Sequence, residues 1–275
     1  MMLVLSYLLA KIPRSIFMKL ATVLALFAWA VMPKRRRITI DNINMAFGQQ
    51  RSTQLAFLTF RHFAAVTLEC MMGRYWFRPE RQRWIRLAEG STVSDLHKPC
   101  LAVTAHFGQW ELFPVIADGV RFVPIYQKLK SAYWNDVFFN LRQQLGVSGL
   151  IDKTEFSKNY QKIISENNCL AFAADQGRGC QYTFMGQMTS FPRSIAHIAY
   201  RSKRPVIFGV GLRNGLYIDY HITKPITIKH LESKSDFQKR LMSAYVSWLE
   251  SWVKEHPEQY LWLHNLWKRN KEPNS

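Results

Sequence analysis

Acidic residues are scarce in this chain, and between Met1 and Ile40 there is not one. Across 275 residues, 19 Asp and Glu stand against 37 Lys and Arg, a net charge of +18. A chain this basic implies an acidic partner: nucleic acid, anionic lipid headgroups or an acidic protein. Cysteine is also sparse. Cys70, Cys100, Cys169 and Cys180 form no C-x-x-C pair, which excludes the usual zinc and redox motifs, and a chain of this length needs no disulfide framework. We read the four as reduced, cytosolic thiols and assign no metal and no cofactor. A G-x-S-x-G elbow is absent, so nothing presents a serine nucleophile. Gly177 and Gly179 lack both a third glycine and a Walker lysine, which leaves nucleotide binding weakly supported. No helix-turn-helix glycine pattern, zinc spacing or RNP-like aromatic motif supports nucleic acid either.

What is present favours a lipid surface. The chain is 48% hydrophobic, enough for one large core, and its 9 Trp and 18 Phe suit the headgroup zone when basic residues accompany them. Leu3 to Ala10 and Leu20 to Met32 are apolar runs divided by Pro13, Arg14 and Lys19. A spanning helix needs about 20 apolar residues, so this segment is expected to span with a tilt or lie in the interface, with a buried core helix as the alternative. Lys34-Arg35-Arg36-Arg37 follows directly and opposes translocation, which keeps the body in the cytoplasm. The expected organisation is a membrane anchor with basic flank at residues 1–37, one domain at 38–267 and a frayed tail at 268–275. Asp41-Asn42 is expected to cap a short helix ending at Gly48. Ser52 should open a longer one that turns Leu55, Leu58, Phe63, Val66 and Met71 inward.

From Pro99 the pattern alternates. Strands are expected at Leu101 to Ala105, Phe122 to Tyr126, Val147 to Ile151 and Cys169 to Ala174, with helices at Gln109 to Gly119, Ala132 to Leu145 and Phe156 to Glu166 between them. A loop from Asp175 to Ser190 follows. Then come a helix at Pro192 to Arg201, a hairpin at Pro205 to Leu212 and Tyr217 to Ile222, and a last helix at Asp236 to Lys254. This is an α/β fold with a central, mostly parallel sheet flanked by helices and an N-terminal membrane-associated helix. Ligands of such sheets bind at the carboxyl ends of the strands. There His106 stands at a strand-to-helix junction, five positions before Glu111 and two before Gly108. At about 100° per residue an unbroken helix would turn the two side chains apart, so a bend at Gly108 is needed to bring Glu111 to the imidazole. A histidine oriented by a carboxylate through one nitrogen can act as a general base through the other.

The motifs together resemble the bacterial lipid A late acyltransferases, of the glycerolipid acyltransferase superfamily. They are HFGQWE at His106 to Glu111, Arg35 to Arg37 with Asn42 and Ala46-Phe47, Pro124-Ile125-Tyr126 with Lys130 and Arg142, Ala174-Asp175-Gln176, Phe184-Met185-Gly186 with Thr189, and Pro257 to Tyr260 with Trp262 and His264. The resemblance implies an O-acyltransferase on the cytoplasmic face of the inner membrane. It would move a fatty acyl chain from acyl carrier protein to a hydroxyl of a lipid A precursor, without an acyl-enzyme. His106 would be the base and Glu111 its partner, with the Gly108 turn a candidate oxyanion donor. Lys130, Arg142 and Arg178 are candidates for the acceptor's phosphates, and Asp175 and Gln176 for further substrate contacts. A lysophospholipid or another glycolipid stays open as acceptor. A membrane-tethered nucleic-acid binder is the distant alternative.

Overall fold

The structure, a computed structural model, describes residues 2–177 and 179–267. Helices α1 (Met2–Lys11) and α2 (Arg14–Val31) are separated at Pro13, which has no N–H to continue the first and suits the entry of the second. Helix α3 (Pro33–Phe47) starts on a proline and stops at Gly48, whose φ is +80°. Asp41-Asn42 therefore lies inside α3 and caps nothing, and a boundary after Arg37 would cut that helix. Helix α4 (Ser52–Met71) follows.

The remaining elements are α5 (Pro79–Gln82), β1 (Ile85–Leu87), β2 (Cys100–Thr104), α6 (Phe113–Ile116), β3 (Phe122–Tyr126), α7 (Ala132–Gln144), β4 (Ile151–Asp152), α8 (Lys153–Lys158), α9 (Tyr160–Ser165), β5 (Cys169–Ala173), β6 (Cys180–Phe184), β7 (Gln187–Phe191), α10 (Ser194–Ser202), β8 (Val206–Asn214), β9 (Tyr217–Ile222) and α11 (Lys234–Glu255). Seven strands form one sheet in the order β1-β9-β8-β2-β5-β3-β4. Its pairs are parallel except β8 with β9, which turn at Gly215 as the expected hairpin. The fold is the expected α/β architecture.

Both faces of the sheet are covered, so its strands are apolar on both sides. Leu101 and Val103 of β2 pack with Phe237, Leu241 and Leu249 of α11 on one face. On the other, Cys100 and Ile207 join Phe113 of α6, Leu68 of α4, and Phe17 and Ala21 of α2. Helix α2 is the one described helix long and apolar enough to cross a membrane. It is nevertheless packed along α4, with Phe17, Ala21 and Ala25 buried and Val23, Leu26 and Phe27 exposed on its outer side. The N-terminal segment is part of the folded body.

Further expectations change. The strand expected at Val147 to Ile151 forms only at Ile151–Asp152, and the helix expected at Phe156 to Glu166 is divided into α8 and α9 at Asn159. Helix α4 buries Ala56, Phe60, His62, Ala65, Val66 and Glu69, so of the expected inward set only Val66 is buried. The Asp175 to Ser190 segment contains the β6-β7 hairpin, whose turn places Met185 and Gly186 at φ +52° and +74°. The helix after Gly108 shrinks to a 3-10 turn at Trp110–Leu112 followed by α6. The expected tail at 268–275 lies outside the described residues.

Candidate active site

A cavity of about 1050 Å3 opens at the carboxyl ends of the central strands. Strands β2 and β5 run parallel in register, Thr104 opposite Ala173, so the second residue beyond each, His106 and Asp175, emerges beside the other. His106 Nδ1 lies 2.9 Å from Asp175 Oδ1, and that oxygen also accepts the His106 backbone N–H at 3.1 Å. The Asp175 side chain is fully buried, whereas that of His106 is 28% exposed. Because a carboxylate only accepts, Nδ1 carries the hydrogen and Nε2 is the nitrogen free for proton transfer. Burial pulls the imidazole toward neutrality, yet Asp175, with a weaker pull from Glu111, outweighs it and holds His106 above its ordinary value.

Glu111 is thus not the carboxylate that orients His106. Its oxygens accept from Arg142 Nε at 2.9 Å and Nη2 at 2.6 Å, and from Trp110 Nε1 at 3.1 Å. Burial alone would raise Glu111, but the Arg142 guanidinium holds it below the ordinary carboxylate value. The physical reason is the path after His106. The left-handed turn at Gly108 leads into a 3-10 turn, which sets the Trp110 ring edge-on to the imidazole, centroids 5.3 Å apart, and carries Glu111 across to α7. The same pairing occupies Arg142 Nε and Nη2, so the cation expected to meet an acceptor phosphate is already neutralised by Glu111 at the cavity wall.

The Gly108 turn is fixed from three sides. Gly108 N–H donates to the Gln259 carbonyl at 2.9 Å, Gln109 N–H to the Gly211 carbonyl at 2.6 Å, and Leu261 N–H to the His106 carbonyl at 3.0 Å. The Gly108 amide is therefore spent within the fold and is unavailable as an oxyanion donor. A Cβ at Gly108 would come within 2.1 Å of the Gly211 carbonyl oxygen, so both the φ of +61° and the close approach require glycine. Behind the turn, buried Glu69 of α4 accepts from Gln109 Nε2 at 2.5 Å, from Arg213 Nη1 and Nη2 at 2.8 and 2.5 Å, and from Arg14 of α2. Burial would push this carboxyl up, but Arg213 and then Arg14 hold it down at about 2. His62, buried and beside Arg213, is pushed down to about 3, so it is neutral and donates from Nε2 to the Gly108 carbonyl at 3.1 Å.

Of the residues expected at the site, His106, Glu111, Arg142, Asp175 and Gln176 line the cavity. Lys130 stands in the exposed segment before α7 and is not part of the lining. Arg178 lies outside the described residues. Asp175 is committed to His106, which makes it the orienting carboxylate where a substrate contact was expected. Lys34, Arg35, Lys153 and His264 add basic side chains to the lining. The basic pair had a detectable signal. Lys34 and Arg35 occupy the first turn of α3, where the helix dipole disfavours cations, and an anionic group held nearby would offset that cost.

The family model for bacterial lipid A biosynthesis acyltransferases matches residues 1–269. No curated protein matches the chain. Among solved structures, the 1-acyl-sn-glycerophosphate (LPA) acyltransferase PlsC from Thermotoga maritima aligns over 88% of this chain and 99% of its own, with 13% identity and a TM-score of 0.41. With the family model spanning nearly its whole length, this chain belongs to the bacterial lipid A biosynthesis acyltransferase family.

Proposed function

We propose that the protein transfers a fatty acyl chain from an acyl carrier protein thioester to a hydroxyl of a phosphorylated lipid A precursor, at the cytoplasmic face of the inner membrane. The observation that carries this reading is the His106-Asp175 pair at the wall of a cavity whose lining joins cations to an apolar surface. His106 Nε2 takes the proton as the acceptor hydroxyl attacks the thioester carbonyl. Asp175 holds the tautomer and stabilises the imidazolium that forms. The tetrahedral intermediate collapses with cleavage of the C–S bond, and the imidazolium returns the proton to the departing thiolate. The products are an ester and a free carrier thiol. The acceptor is itself the nucleophile, so no acyl-enzyme forms.

The cavity volume, about 1050 Å3, stands at the top of the roughly 300–1,000 Å3 range of small-molecule sites, which suits an acyl chain together with part of a headgroup. Phe113, Phe122, Val147 and Ile207 supply an apolar wall, while Lys34, Arg35 and Lys153 supply charge for a phosphate. The surplus of positive charge favours encounter with an acidic carrier protein. The deciding experiment offers labelled acyl carrier protein thioesters and a panel of acceptors to the membrane-bound enzyme, wild type and His106→Ala. Labelled product from the lipid A precursor alone, absent in the variant, is the expected result. Product from a lysophospholipid instead would move the acceptor, and turnover unchanged in His106→Ala would remove the base.

A further inference from the structure

Helix α7 runs for 13 residues with a single buried side chain, Leu141. A helix this short is marginal in water without an apolar face packed against something, and α7 has little of the protein to pack against. Several of its large side chains are exposed: Tyr133 at 66%, Trp134 at 53% and Phe138 at 44%. Lys128 and Lys130 stand exposed just ahead of its start, so cations precede the aromatic pair. Aromatic residues beside lysines are the composition of the membrane interface.

The neighbourhood of α7 points the same way. The 3-10 helix Gly73–Phe77 contacts both α7 and α1. On the α7 side Phe77 packs against Gly146, and on the α1 side Tyr75 packs against Tyr7, ring centroids 6.1 Å apart. Helix α1 in turn exposes Val4, Leu5 and Leu8. Two helices with exposed apolar side chains thus flank one small element. An acidic protein would find Asp136 exposed on α7 and the helix's own cation, Arg142, already paired with Glu111. The bilayer interface needs no such partner, because it solvates the polar residues of a helix whose aromatic side chains it takes up.

We propose that α7 is a second membrane-contact element. Tyr133 and Trp134 enter the bilayer interface, and Phe138, which also lines the cavity, sits where a lipid acceptor passes sideways from the leaflet to His106. The bilayer contact stands independently, and the acceptor route rests on the acyl-transfer reading. Full-length protein is bound to vesicles of phosphatidylethanolamine and phosphatidylglycerol whose acyl chains are brominated, and tryptophan quenching is compared between wild type and Trp134→Phe. The component lost in Trp134→Phe should be strongly quenched. A lost component that brominated lipid leaves unquenched would overturn the proposal, as would quenching that needs added carrier protein. This readout requires no turnover, so an inactive enzyme leaves it intact. In parallel, Tyr133→Ser combined with Trp134→Ser should reduce use of a vesicle-borne acceptor roughly tenfold or more and leave a short-chain, detergent-dispersed acceptor unaffected. Equal activity on the two acceptors would remove the helix from the entry route.

Discussion

At the scale of single residues, the proposed chemistry turns on which carboxylate meets His106. Asp175→Asn should lower kcat by about 10² to 10⁴, because an amide can present its NH2 to Nδ1 and favour the wrong tautomer. The sign of its pH effect follows from the charge. Asp175 holds the proton on the imidazole, so the wild-type acid limb of kcat/KM lies above the ordinary histidine value and activity rises as pH climbs through it. Without that charge the limb should move to lower pH, and a pH-rate profile of the residual activity checks it. Glu111→Gln makes a different prediction. It strands Arg142 in a largely buried site, so stability should fall by about 2–3 kcal/mol, below the 3–5 kcal/mol of a fully buried pair since Arg142 is 25% exposed. Denaturant unfolding of Glu111→Gln, Arg142→Met and the double variant measures the coupling. Additive losses would show that the pair contributes nothing. His106 was legible in the sequence because strand, histidine, glycine and helix signals are contiguous. Asp175 as its partner was not, because their meeting depends on the register of β2 against β5, a relation between strands far apart in the chain.

At the scale of elements, α4 shows why apolar periodicity can mislead. A helix reads as amphipathic when its inner face is apolar, but α4 turns His62 and Glu69 inward because Arg14, Arg213 and Gln109 satisfy the carboxylate. The helices α2 and α4, strand β8 and the His106 turn are joined through that one group. Replacing Glu69 with Gln leaves two arginines short of a countercharge, and a loss of about 3–5 kcal/mol is expected. Its pH dependence has a definite direction. The folded carboxyl sits at about 2, below its unfolded value of 4.5, so its stabilisation is complete above pH 4.5 and is lost as pH falls toward 2. Acid unfolding of Glu69→Gln should be flatter than wild type across that window. Equal slopes would mean that Glu69 is not held down. The hairpin β6-β7 was hidden for another reason: its turn puts a methionine, Met185, at positive φ, where sequence signals favour Gly or Asn.

At the scale of the whole molecule, the alternation of strands and helices after Pro99 was enough to give a mostly parallel sheet and the edge where its site lies. The relation of the N-terminal segment to that sheet was not legible, because an apolar run looks the same whether lipid or protein covers it. Removing residues 1–32 would release a soluble enzyme if the segment were only an anchor. The packing of α2 argues for a different outcome. Phe17, Ala21 and Ala25 are buried with α4 and the sheet, and Arg14 neutralises part of Glu69. Losing one large buried side chain costs about 3–5 kcal/mol, and losing one partner of a buried charge pair costs a similar amount. Together they approach the 5–15 kcal/mol that holds a typical domain folded. The truncated chain should therefore lose its cooperative unfolding transition and accumulate as aggregate. Arg14→Ala alone, with the segment present, should be destabilised but still bound to membranes. Fractionation and thermal unfolding of the two variants test this, and a truncated protein that is soluble, cooperative and active would show that α2 serves the membrane alone.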